Sequence, residues 1–248
     1  MNDTLRLRLA HASMQFSDTA KQQAHDVNVV FNRGYDIITG TESGPDNALH
    51  GLVLRAAPDS GYRLAAFRSQ WVAFRADLIT GGWRKGYVPS VESTEGVGRH
   101  PDRGIVWGSG NVKGFGRVTA GAGHLLTHGE KPGDPNYRLN TRYARDIGEW
   151  GAEAASGNKI VFYGGDQNSN DAVRDTFRGK PFTSCWDELG KHPGTHGKRT
   201  IDVLASHDTD RRVKCVSARV LRDSQVFLNT DHFLIEAVYE VKPKRITR

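Results

Sequence analysis

Leu5, Leu7 and Leu9 alternate with Arg6 and Arg8, and this period of two predicts a half-buried strand. Behind it, Ala20, Ala24, Val27 and Phe31 recur at i, i+4, i+7 and i+11, the stripe of a helix. Ser17 or Asp18 is its expected cap and Gly34 its expected end. The short strand DIITGTES from Asp36 follows, then a helix from about Asn47 to Ala57. YRLAAFR and WVAFRAD read as consecutive strands, as do GIVWGSG and GRVTAGAGHLLT. Asp134-Pro135 opens another helix, with Leu139, Tyr143, Ile147 and Trp150 or Gly151 on its inner face. The remaining elements are the strand KIVFYGGD, a short helix at CWDELG, and the strands TIDVLAS, VKCVSARVL and HFLIEAVYEV.

Helices fall early and in the middle, between strands, while hairpin-like strand pairs fill the rest. That order predicts a mixed α/β fold with two packed mixed β-sheets flanked by helices, a four-layer α/β sandwich. No Pro/Ser-rich or low-complexity break divides the 248 residues, so one domain is expected over 1–241, followed by a basic tail over 242–248.

Charge changes the picture. Lys and Arg number 34 against 28 Asp and Glu, a formal +6, so the surface attracts polyanions. The excess clusters at Arg211-Arg212-Val213-Lys214 and in the tail from Lys242 to Arg248, and nucleic acid becomes the expected partner. No apolar run is long enough to span a bilayer, and the first sixteen residues lack a signal-peptide pattern. A cytoplasmic protein without a membrane partner is expected, read as a monomer. Cys185 and Cys215 are too few for a disulfide framework and make no CxxC pair.

Polar residues recur where the strands end: Glu42, His124, Asp166, Asn168, Asp202, and Asp231 with His232. Each alone has a plain reading as a turn or capping residue. In YGGDQNSND, Asp166 and Asn168 alternate with Gln167, so an extended chain points both to one side. His124-x₃-His128 and His192-x₃-His196 have zinc spacing, but both lie in Gly/Pro-rich stretches where no helix is expected. No serine sits in a GxSxG elbow, which excludes the usual serine hydrolase pattern. Trp83, flanked by glycine and beside Arg84 and Lys85, is a candidate for stacking on a base.

In order, DIITGTE, GRVTAGAGHL, GGDQN, TIDVLASHD and TDHFLIEAVYEV resemble the motifs of the endonuclease/exonuclease/phosphatase superfamily, and the resemblance covers nearly the whole chain. It implies a metal-dependent phosphodiesterase acting on nucleic acid, most simply a DNA endonuclease or exonuclease. Glu42 and Asp231 are then the metal ligands, and Mg²⁺ is the ion, with Mn²⁺ the alternative. Ser13 stands where the family has a metal-proximal Asn, and its hydroxyl has a shorter reach. Asp202 orients His232, Asp166 or His232 serves as base, and Asn168 and His124 position the phosphate. Arg211 and Arg212 join Trp83, Arg84 and Lys85 as candidate nucleic-acid contacts. The rival functions are a phosphatase of the same fold acting on a small or lipid phosphoester, and a nucleic-acid binder with weak catalysis.

Overall fold

The computed structural model describes residues 4–14, 19–43, 48–98, 100, 102–157, 159–168, 181–222 and 230–243. The leucine alternation forms β1 (Leu5–Ser13), which pairs in parallel with β2 (Ile37–Thr41) and antiparallel with β12 (Leu234–Val241). A parallel pair needs a crossover, and α1 (Ala20–Asn32) supplies it. The same logic places α3 (Tyr137–Ala155) between β7 (Gly116–His124) and β8 (Ile160–Asp166), the second parallel pair.

The remaining elements are α2 (Ala48–Asp59), β3 (Tyr62–Phe67), β4 (Gln70–Arg75), β5 (Ile79–Val91), β6 (Arg103–Val112), β9 (Thr183–Ser184), α4 (Cys185–Glu188), β10 (Asp202–Asp208) and β11 (Val213–Leu221). They complete two six-stranded sheets, ordered β11-β12-β1-β2-β4-β3 and β5-β6-β7-β8-β10-β9. Leu7, Leu9, Ile37, Val72 and Phe74 of the first sheet share a buried cluster with Val118, Ala120, Ile160 and Phe162 of the second. On the other face of the first sheet, Ala10, Ala12 and Trp71 pack with Val27, Val30 and Phe31 of α1 and Val53 of α2. Among the described residues no helix is long and apolar enough to cross a membrane.

Three expectations change. Thr19 caps α1 in a capping box with Gln22, and Ser17, Asp18 and Asn47 lie outside the described residues. The buried face of α1 is Gln23, Asp26, Val27, Val30 and Phe31, so Ala20 and Ala24 fall outside the packed stripe. TGGWRKGYVP, placed in no element by the sequence pattern, is most of the thirteen-residue strand β5. Its glycines and Pro89 mask the pattern, and they are tolerated because β5 is an edge strand with three register irregularities.

The inner faces of the strands share a gradient. In β1 the inward positions run Leu7, Leu9, His11, Ser13; in β2 they run Ile37, Thr39, Thr41 at the paired registers. Across the layer, β7 runs Val118, Ala120, Ala122, His124, and β8 runs Ile160, Phe162, Gly164, Asp166. Apolar turns to polar in the same direction in both sheets, so one end of the interlayer is polar. The sheets approach closely at Gly164, where an added Cβ would lie 1.9 Å from Thr39 Oγ1 and 3.2 Å from His11 Nδ1. Gly164→Ala is expected to cost about 1–3 kcal/mol by overpacking, read as a lower urea midpoint at unchanged slope. An unchanged midpoint would mean that the two sheets are not in contact at this point.

Candidate active site

Six of the predicted residues meet at the polar end. His124 ends β7, Asp166 ends β8 and Asp202 starts β10, and the three are adjacent rungs of one ladder, His124↔Asp166↔Asp202. Glu42 follows the last residue of β2 with φ 62°, a left-handed conformation that costs a non-glycine residue about 1 kcal/mol and swings its side chain off the strand line. Ser13 ends β1 opposite Thr41, and His232 precedes β12.

Acids and imidazoles alternate through this end. Glu42 Oε1 lies 3.7 Å from His124 Nε2, which lies 3.2 Å from Asp166 Oδ2. Asp166 Oδ2 lies 3.8 Å from His232 Nε2, and His232 Nδ1 meets Asp202 Oδ2 at 2.9 Å. Asp202 Oδ1 then faces His11 Nε2 at 3.6 Å, and His11 Nδ1 meets Thr39 Oγ1 at 3.0 Å. Asp166, Asp202, His124 and His232 are all buried, while the Glu42 side chain keeps 23% exposure and so reaches solvent.

The two histidines are held in opposite states. Burial, then the charge of Arg103, push His124 down to about 4; the Arg103 guanidinium donates to its Nδ1. His124 is therefore neutral, with its proton on Nε2 facing Asp166. For His232, burial opposes the charge, but Asp202 first, then Asp166 and Glu42, raise it to about 10, making it an imidazolium at neutral pH. Burial alone would raise Asp202 and Asp166; the imidazoles overcome it and hold both below the usual carboxylate range. Burial and the neighbouring Asp166 carboxylate lift Glu42 to about 7.

Several assignments need correction. Asn168 does not continue the strand: it lies beyond β8 at φ 51°, its backbone N–H donates to Asp166 Oδ1 at 2.7 Å and its Nδ2 donates to the Leu125 carbonyl at 2.7 Å. Its amide oxygen and its second Nδ2–H remain for a ligand, so it keeps both an acceptor and a donor. His124, in contrast, has one nitrogen on Arg103 and the other on Asp166, which leaves no free donor for a phosphate.

The Ser13 hydroxyl accepts from Thr41 Oγ1 at 3.0 Å and is 2% exposed. Asp231 is 57% exposed and its carboxylate is engaged by His196 at 2.9 Å.

The candidate nucleic-acid contacts lie elsewhere. Arg84 and Lys85 pair with Ser109 and Gly108, which lie at registers five and four residues along the sheet from His124, about 17 and 13 Å at 3.3 Å per residue. Trp83 is half-buried against Phe74 with ring centroids 5.4 Å apart, so its ring is packing rather than presented for stacking. Arg211 and Arg212 follow the far end of β10; Arg212 is buried with Asp208 and Asp210. β12 also ends at Val241, opposite Leu5 at the same far end.

The residues missed by the sequence reading are His11, Arg103 and the hydroxyl of Tyr143; His196 was noted only for its spacing from His192. His11 carried a signal, since it continues the inward parity of Leu7 and Leu9. Tyr143 was predicted as a helix core residue, yet its hydroxyl accepts from His124 N–H and Gln70 Nε2 at 3.1 Å each and donates to the Gly104 carbonyl. Nothing local marks Arg103 as the partner of His124.

At the level of sequence, neither a family profile nor a curated protein matches the chain. Solved structures do. An endonuclease/exonuclease/phosphatase family protein from Bacteroides thetaiotaomicron superposes with a TM-score of 0.71 at 16% identity, over 96% of this chain and 99% of that one. The chain has the endonuclease/exonuclease/phosphatase fold. D. rerio TDP2, solved with a single-strand DNA product, matches with a TM-score of 0.69 at 14% identity over 94% and 98% of the two chains. A mannosyl-6-phosphatase from Bacteroides thetaiotaomicron VPI-5482 matches with 0.64 at 14% over 94% and 99%.

The His232–Asp202 pair sets a pH window for stability. His232 contributes fully below its ordinary pKa of ~6.5, and that contribution is lost as pH rises through about 10. Asp202, with a lowered pKa, contributes above its ordinary ~3.9 and loses this as pH falls. His232→Gln strands a buried carboxylate and is expected to cost about 3–5 kcal/mol at pH 7. In thermal melts its deficit should shrink towards pH 10.5, where the parent histidine has also lost its charge. A deficit constant from pH 6 to 10.5 would contradict the ion pair.

Proposed function

We propose that the protein is a divalent-metal-dependent phosphoesterase, and that its substrate is a phosphodiester of nucleic acid, DNA in the first instance. The observation that carries this is the buried alternation of carboxylates and imidazoles from Glu42 to Asp202. A binding surface has no use for two buried acids held ionised beside one neutral and one charged histidine.

The residues present fit a hard cation. Donor atoms of Glu42, His124 and Asp166 lie within 4.8 Å of one another, and burial beside the Asp166 carboxylate leaves Glu42 in need of a positive partner. Carboxylate oxygens with room for water suit Mg²⁺ or Mn²⁺. Glu42 would hold the ion, with Asp231 as the second carboxylate and Ser13 able to reach only a bound water. Such an ion, when bound, supplies Lewis-acid stabilisation of charge on a phosphoryl oxygen.

The chain's own groups divide the remaining work. Asp166, held ionised by the flanking imidazoles, takes the proton of the attacking water, and the Asn168 amide oxygen accepts that water's other hydrogen. His232, held as an imidazolium by Asp202, presents Nε2–H to a phosphate oxygen or to the departing oxygen. His124 and Arg103 act through Asp166, fixing its direction and keeping a donor on it.

The net charge of +6 and the likeness to a protein solved with a single-strand DNA product support nucleic acid. One observation favours the small-phosphoester reading instead: the clusters at Arg84-Lys85 and Arg211-Arg212 lie about 13 Å or more along the strands from the site. Turnover of single-stranded DNA, plasmid, RNA and sugar or inositol phosphates, each with Mg²⁺, Mn²⁺ or EDTA, separates the two. DNA is expected to be cleaved with either ion and spared with EDTA. Its apparent affinity should fall several-fold or more between 50 and 200 mM salt, because phosphate contacts release counterions. Turnover of small phosphoesters alone would overturn the nucleic-acid assignment.

Glu42→Gln replaces an anionic ligand by a neutral oxygen and is expected to lower turnover at limiting Mg²⁺ by at least ~100-fold with an unchanged melting curve. Proton and ion also compete for Glu42, so Mn²⁺ affinity should rise about tenfold per pH unit below about pH 7 and level above it. Affinity flat across this range would remove Glu42 from the ligand set.

A further inference from the structure

His192 and His196 share a helical spacing but not a centre. His192 Nε2 lies 3.4 Å from Asp187 Oδ1, while His196 faces the segment before β12. His196 forms an isolated β-bridge with His232, and the two rings lie 4.8 Å apart. His196 Nε2 sits 2.9 Å from Asp231 Oδ2, and His232 Nε2 lies 3.9 Å from Asp231 Oδ1. One donor atom from each of the three falls within 4.8 Å of the others.

Two further features make this more than a chance meeting of surface side chains. His232 has Nδ1 committed to both Asp202 oxygens, at 2.9 and 3.1 Å, and Nε2 turned towards Asp231. A carboxylate on one ring nitrogen is how outer-shell groups orient a histidine for ligation through the other. The loop bearing His196 is also braced. Thr195 is fully buried; its N–H donates to the Arg199 carbonyl, its hydroxyl accepts from the N–H of Ile201 and Asp202, and its carbonyl accepts from Phe233 N–H. His196 is thereby registered against Asp202 on one side and the residue after His232 on the other.

We propose that His196, Asp231 and His232 form a second cation site, specific for a borderline divalent ion of the Zn²⁺ type and overlapping the Glu42 site through Asp231. Two imidazole nitrogens and one carboxylate oxygen, with side chains 32% and 57% exposed at His196 and Asp231, give three protein ligands and a position open to water. That donor set favours Zn²⁺ over Mg²⁺, whereas the oxygen-rich surroundings of Glu42 favour the harder ion. Tetrahedral ligands at Zn–N distances of ~2.0–2.1 Å stand ~3.3 Å apart; His196 lies 2.9 Å from one Asp231 oxygen and His232 3.9 Å from the other, and one donor atom of each residue falls within 4.8 Å of the rest. Coordination at His232 Nε2 displaces to solvent the proton that the imidazolium carries there, and occupation withdraws Asp231 and His232 from the chemistry described above. That consequence, though not the site itself, rests on the phosphoesterase reading, and it makes Zn²⁺ an inhibitor of Mg²⁺-supported turnover.

Equilibrium dialysis of the full chain against Zn²⁺, in millimolar Mg²⁺ and without substrate, tests the site directly. One tightly bound Zn²⁺ is expected. His196→Ala should weaken it by ~100-fold or more, and Glu42→Gln should change it less than about threefold, with melting curves confirming that each variant folds. His196→Asn serves if the alanine variant does not fold. Co²⁺ should give a visible absorption band in the parent that is absent in the His196 variant. Failure to bind Zn²⁺ at micromolar concentration, parental affinity in His196→Ala, or loss of binding in Glu42→Gln would each overturn the assignment. In turnover assays, each variant compared with its own uninhibited rate, Zn²⁺ should inhibit the parent strongly and His196→Ala weakly. Absence of turnover on every substrate would count against the phosphoesterase reading and leave dialysis to decide the site.

Discussion

The carboxylate of Asp202 lies between two sheets with no exposure to water, and the polar end of the molecule is organised around its charge. An uncompensated ion there would cost several kcal/mol. Both of its oxygens meet His232 Nδ1, one also faces His11, and the Asp202 N–H donates to the Thr195 hydroxyl. His232 is thereby held as a cation from one side, and its other nitrogen is turned towards Asp166 and Asp231. Beneath the pair, Trp186 donates to the Asp202 carbonyl and closes that side with packed ring. One buried charge thus fixes the state of a histidine, the direction of its free nitrogen and the register of the loop that carries His196.

The same end shows how environment divides like groups into unlike roles. His124 and His232 flank Asp166 at 3.2 and 3.8 Å, yet one is neutral and the other charged. The difference is the neighbour on the far side of each ring: a guanidinium on His124, a carboxylate on His232. Asp166 between them keeps an ionised oxygen. Pairs of titratable groups pushed apart in this way are what acid–base chemistry at neutral pH requires.

Much of the fold was legible because strand alternation states which side chains face inward. The parity of Leu7 and Leu9 extends to His11 and Ser13, and the order of polar residues at strand ends marks the same end of both sheets. β5 was not legible, because an edge strand tolerates glycines and a proline that hide the strand pattern. The basic and aromatic candidates failed for a different reason. Charge and composition around Trp83-Arg84-Lys85 and Arg211-Arg212 report exposure, whereas the end of the strand on which a residue sits is set by pairing register. Arg103 and the hydroxyl of Tyr143 have no local signature, since their partners lie 21 and 19 residues away, and the spacing of His196 from His192 gave no sign of its partners 35 and 36 residues on.

If Asp202 works by holding His232, the two must act as one unit in turnover. A double-mutant cycle of Asp202→Asn, His232→Ala and the double variant, read as single-turnover rates at saturating substrate, is the most direct test. Loss of positioned acid–base help predicts about a hundredfold or more for each single variant, and a double variant little slower than the slower single one. Losses that multiply in full would mean that the buried carboxylate and the histidine contribute independently, and the account of the site built on their coupling would be wrong.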